Sequence, residues 1–142
     1  LKALNNAYIF AKKNNLNFQG IYMDATNPSP NQGWDESERK NLFSRSKFDG
    51  IIALALIHHL CIAKNIPLEE AINWLVSYAP KGIIEFVPKN DETIKRMLQI
   101  RKDIFTQYNK ENFEKLLNKK AKITYMQKVS SSGRTLYEYS KI

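Results

Sequence analysis

Apolar and polar positions change period along the chain, and each change marks an element. Leu1, Leu4, Ala7, Tyr8, Phe10 and Ala11 recur at helical spacing, which predicts a helix from Leu1 to Asn14 that stops at Asn14-Asn15. Phe18 to Met23 reads as a short buried strand ending at Asp24. The stretch Asn27-Pro28-Ser29-Pro30-Asn31-Gln32-Gly33 is dense in turn formers and predicts a loop. A polar helix is expected from Asp35 to about Arg45, with acids in its first turn where the helix dipole favours them.

Phe48 to Leu56 is almost continuously apolar, as expected of a strand covered on both faces in a parallel sheet. Ile57 to Lys64 begins a helix, and Pro67 with Glu69 and Glu70 starts another that runs to Pro80. Lys81 to Pro88 is a further buried strand. Asp91 to about Tyr108 carries the spacing of a long amphipathic helix, and Asn112 to Lys119 that of a shorter one. The tail reads as a hairpin: Ala121 to Val129, a turn at Ser130-Ser131-Ser132-Gly133, and a return from Arg134 to Ile142. Alternating strands and helices closed by a hairpin imply an α/β sheet of parallel strands, with helices on both faces and an antiparallel edge.

Composition narrows the function classes. At 142 residues, 43% of them hydrophobic, the chain suits one globular domain with a single core. Its longest apolar run, Ile51 to Ala63, is interrupted by His58 and His59 and falls short of the ~20 residues that cross a bilayer. No membrane partner is expected. The start, Leu1-Lys2-Ala3-Leu4, has no signal-peptide pattern, and a cytoplasmic location is the expectation. A lone Cys61 excludes an internal disulfide, and the five scattered glycines form no phosphate-cradling loop. No metal site is expected either, because adjacent side chains such as His58 and His59 diverge and no third ligand accompanies them. The net charge of +8 invites a nucleic-acid reading, but it is mostly lysine spread along the chain, which suits a solvated surface better.

The order of elements and several local words together resemble the carboxyl-terminal part of a class I S-adenosylmethionine-dependent methyltransferase. The residues that carry the resemblance are Asp24 to Pro30 with Gly33-Trp34, then Phe48-Asp49 leading into Ala53-Leu54-Ala55-Leu56-Ile57-His58-His59-Leu60. Pro67-Leu68-Glu69, Glu85-Phe86-Val87-Pro88-Lys89 with Asp91, and Arg134-Thr135-Leu136-Tyr137 follow in order. The resemblance implies a partial Rossmann-like sheet in which residues 1–142 are the carboxyl-terminal portion of one methyltransferase domain. The family's Gly-rich turn and first two strands would lie upstream, on a missing amino-terminal half. Without that half the expectation is an inactive fragment with uncovered strand edges.

The same resemblance assigns roles. Asp24 would accept from the adenine amino group of S-adenosylmethionine, and the Ala25 backbone would serve the ring nitrogens. The backbone of Leu54, Ala55 and Leu56 would lie beside the methionine portion. His59, with His58, stands where a base is chemically reasonable near neutral pH, and Glu85 is a third catalytic candidate near the expected substrate mouth. The loop carrying Asn27 and Trp34 would border the acceptor. Plainer roles compete at each position. Asp24 could close its own turn, the histidines could cap or pack, Arg134 could simply pair with Glu85, and Trp34 could pin a loop. Two other functions stay open beside methyl transfer to an unidentified acceptor: a non-catalytic interaction domain, and a basic RNA-binding module or RNA methyltransferase.

Overall fold

The computed structural model describes residues 1–142, which divide into two compact units, Leu1–Leu42 and Phe43–Ile142. In the first, α1 (Lys2–Lys13) forms as its apolar spacing predicts and places Lys12 and Lys13 at the carboxyl end, where the dipole favours cations. Asn14 closes it, its side-chain amide donating to the Phe10 carbonyl at 2.8 Å. Gly20 passes so close to α1 that a β-carbon there would lie 2.9 Å from Leu4 Cδ1.

Two expectations for this unit are corrected. Phe18 to Met23 is not a strand: it runs without a ladder partner and leaves Phe18, Ile21, Tyr22 and Met23 exposed. A strand exists only where another backbone pairs with it, and no segment of this unit does so. The polar helix over 35–45 also breaks up. Asp35 and Glu36 adopt left-handed backbone (φ 52° and 51°), leaving a 3₁₀ turn at Trp34–Glu36. Gln32 and Arg39 then pair across the loop (Gln32 N to Arg39 O, 2.8 Å). Only the single turn α2 (Leu42–Arg45) remains helical.

The second unit holds a mixed four-stranded sheet within an α/β arrangement. Its strands are β1 (Ile51–Ala53), β2 (Lys81–Phe86), β3 (Ala121–Lys128) and β4 (Thr135–Lys141), in the order β1-β2-β4-β3. β1 and β2 are parallel, and β4 is antiparallel to both β2 and β3. The hairpin therefore docks through its second strand, so the antiparallel member lies inside the sheet and β3 becomes the edge. Burial explains this choice. β4 alternates Thr135, Tyr137 and Tyr139, all buried, with more open residues, whereas β3 is exposed along most of its length.

Helices α3 (Leu68–Tyr78) and α5 (Lys110–Lys120) contact the sheet and each other. Phe113 of α5 sits between Phe86 and Tyr137, with ring centroids 5.1 and 4.9 Å away. Tyr108 stacks on the Phe86 ring and donates its hydroxyl to the Val87 carbonyl at 2.8 Å. The predicted helix over 91–108 is cut to α4 (Glu92–Gln99). Beyond it, Arg101 turns back to bond the Ile62 carbonyl and Asn65, and Asp103 pairs with Lys89 at 2.8 Å, contacts that a continued helix would forgo. The strand predicted over 48–56 shortens to three residues because Ala55 takes a left-handed conformation (φ 49°). No helix is long and apolar enough to cross a membrane.

One position controls the parallel pair. A β-carbon at Gly82 would lie 2.6 Å from Ile51 Cγ1, 2.7 Å from the Ile51 carbonyl oxygen and 3.0 Å from Tyr139 Cε1. Two of those contacts are backbone or buried ring and have no room to give. Gly82→Ala is expected to destabilise the protein by about 1–3 kcal/mol, the usual penalty of overpacking. Urea denaturation measures this directly, and an unchanged midpoint would show that β1 and β2 separate there at no cost.

Candidate active site

Ligands of parallel α/β sheets collect outside the carboxyl ends of the strands. At the end of β1 the chain passes through Leu54, about half exposed, and then through left-handed Ala55. A non-glycine residue in that conformation costs roughly 1–2 kcal/mol, so something must hold it. Glu85 does. From within β2, its Oε2 accepts the Ala55 N–H at 2.7 Å. Beyond Ala55, the Leu56 carbonyl accepts from the His59 and Leu60 amides, and the chain winds into an unusual π-helical turn, His59–Ala63. Such turns are rare and recur at functional sites.

Glu85 is 7% exposed and is balanced by Arg134, whose Nη1 lies 3.5 Å from Oε1. Arg134 spends its stronger bonds on Asp91, in a bidentate pair from Nε to Oδ2 (2.7 Å) and from Nη2 to Oδ1 (2.8 Å). Ser132 Oγ and the Thr93 amide also donate to Asp91, at 2.6 and 3.0 Å. Together, led by the Arg134 bonds, they hold the Asp91 carboxyl well below its ordinary range against the opposing effect of burial, and Asp91 in return raises Arg134. Asp91 is at once the amino-terminal cap of α4 and the anchor of the arginine.

His58 lies beside this network, 1% exposed, with neither ring nitrogen bonded to protein. Burial first, and then the nearby His59 and Arg134, lower its pKa to about 4, with Asp91 opposing. It is therefore neutral at physiological pH and a weak base. The His59 ring packs 4.3 Å from it and stays exposed to solvent.

The second unit thus brings together Leu54, Ala55, Leu56, His58, His59 and Glu85 around the carboxyl ends of β1 and β2. Asp24, Ala25, Asn27 and Trp34 belong to the first unit. There Asp24 makes the turn bonds of its plainer role, with Oδ1 accepting from Thr26 N (2.9 Å) and Thr26 Oγ1 (2.7 Å), and Trp34 is 85% exposed. Both oxygens of Glu85 are occupied by Ala55 and Arg134, a positioning arrangement. A cavity of about 480 Å³ between α3, α5 and the 104–108 loop is lined by none of the candidate residues.

Comparison with known proteins adds one relative. The chain is 48% identical over 139 residues to the nodulation protein NoeA of Rhizobium meliloti (strain 1021). The match covers 98% of this chain and 29% of NoeA, so the chain spans less than a third of that relative's length. No family model matches, and no solved structure does.

The Asp91–Arg134–Ser132 cluster was missed by sequence reasoning. Its one local signal is Asp91 as a helix cap. Only the sheet register, with Thr135 opposite Phe86, carries Arg134 to the end of β2.

Proposed function

We propose that this chain is the carboxyl-terminal portion of a class I S-adenosylmethionine-dependent methyltransferase domain, completed by chain outside residues 1–142, which transfers a methyl group to an acceptor still to be identified. The observation that carries the reading is the clamp of Glu85 on the Ala55 amide, which fixes left-handed backbone at the end of a parallel strand. Backbone turned out of the strand beside a small side chain suits close approach of a ligand. The orphaned nitrogens of buried His58 fit a site completed by further polar groups.

On this reading Leu54, Ala55 and Leu56 would lie along the methionine portion of the cofactor. The bound cofactor supplies an electrophilic methyl group on a sulfonium. This chain's residues contribute mainly position, which is worth on the order of 7–11 kcal/mol of barrier when reacting groups are well aligned. Glu85 orients the Ala55 backbone, and Arg134 keeps Glu85 aimed. Solvent-exposed His59 is better placed than buried His58 to take a proton from the acceptor. A cytoplasmic enzyme with no membrane partner belongs to the same reading.

Calorimetric titration of the full-length protein with S-adenosylhomocysteine tests the proposal. Saturable binding is expected. Glu85→Ala should weaken it by about tenfold or more, the worth of a hydrogen bond to a charged group, while Glu85→Gln, which still accepts from Ala55, should largely retain it. Absence of binding would leave a non-catalytic domain as the better account.

A further inference from the structure

A second concavity, about 360 Å³, opens where β2 and β3 end. Pro88, Lys110, Met126, Lys128, Ser132 and Thr135 line it, together with Asn90 and Gly133. No carboxylate is among the lining residues. We infer that this concavity is an oxyanion-binding site for a phosphate- or carboxylate-bearing small molecule, and the inference stands independently of the methyltransferase reading.

The walls are built before any ligand arrives. Thr135 sits between Phe86 and Lys128 in the sheet, so the carboxyl ends of β2 and β3 flank it directly. Gly133 takes φ 95°, which folds the hairpin turn against Pro88, where a β-carbon would meet Pro88 Cγ at 3.4 Å. Thr135 Oγ1 donates to the Gly133 carbonyl (3.0 Å), and Ser132 is tied to Asp91. The turn is therefore anchored to the Asp91–Arg134 pair.

Its charge is unspent. Arg134 is consumed by Asp91 and Glu85, but Lys128 enters no ion pair, and Lys110 has only a long contact to Glu114 at 3.7 Å. Two ammonium groups on a small hollow whose lining holds no carboxylate match the negative charge of an oxyanion. A cation would be repelled by the two ammonium groups.

The test is an NMR titration of the protein with inorganic phosphate at constant ionic strength, following the amides of Ser132, Gly133 and Lys128. Saturable shifts confined to these amides are expected. Lys128→Glu should weaken binding by about tenfold. Lys122→Glu makes the same charge change at the far end of β3 and should leave binding unchanged. Shifts that never saturate, or equal losses in the two variants, would overturn the site and reduce it to the general attraction of a basic protein. A parallel titration with S-adenosylhomocysteine reads the other proposal separately, since either ligand can bind without the other.

Discussion

Replacing Arg134 by methionine is expected to cost about 3–5 kcal/mol of stability, the penalty of leaving buried charge uncompensated. The guanidinium is the shared counter-charge of two carboxylates, Asp91 at 5% exposure and Glu85 at 7%. The bidentate geometry on Asp91 makes the substitution unforgiving. Lysine offers a point charge in place of a planar fork, so Arg134→Lys should recover only part of the loss. The double variant with Asp91→Asn removes one orphaned charge and should be more stable than Arg134→Met and Asp91→Asn would sum to. Urea denaturation of the parent, the two single variants and the double variant measures the coupling. A cost below about 1 kcal/mol, the range of exposed ion pairs, would show that solvent already screens the cluster.

That cluster also shows how far the sequence can be read. Elements whose local chemistry agrees with their packing are legible: α3 after Pro67 with acids in its first turn, β2 ending before Pro88, and the hairpin around Ser130–Gly133. Elements decided by partners elsewhere are not. Phe18–Met23 has the composition of a strand and lacks a partner. The apolar run over 48–56 holds three strand residues, because a glutamate 30 positions on captures the Ala55 amide. Asp35 and Glu36 look like a first helical turn, yet left-handed backbone at both closes a loop instead.

The candidate site divides along the same line. The possibility that Arg134 pairs with Glu85 is visible from a charge inside an apolar strand, and the structure has that pair, whereas the brace that Glu85 gives the distant Ala55 amide is not visible. The Asp91 connection is invisible from sequence, because 43 residues separate the partners and only the antiparallel insertion of β4 brings them together.

Acidification is expected to weaken the fold in a window that belongs to His58. Its pKa drops from 6.5 to about 4 on folding, chiefly through burial and then through the charges of His59 and Arg134, with Asp91 pulling the other way. The unfolded chain therefore binds a proton near pH 6.5 while the native protein refuses it until about pH 4. Above that window the histidine is neutral in both states and costs nothing. As pH falls through it, stability declines by about 3 kcal/mol in total, because each tenfold difference in proton affinity between the two states is worth roughly 1.4 kcal/mol. Asp91 also favours the native state less in acid, but its depressed carboxyl acts only below the ordinary carboxylate value of 3.8, outside the histidine's range. His58→Leu separates the two. At pH 7 the variant should be at least as stable as the parent, because the lost imidazole has no bond to protein and leucine suits a site this enclosed. Between pH 6.5 and 4 the parent should lose stability that the variant keeps, with all carboxylates common to both. Denaturant midpoints at pH 7, 5.5 and 4 decide the matter: curves that stay parallel would mean the imidazole is protonated as readily in the native protein as in the unfolded chain. Were the variant also unable to bind S-adenosylhomocysteine while folding as well or better, the imidazole would be kept for the ligand at a cost to the fold, the trade expected of a functional polar group in a dry place.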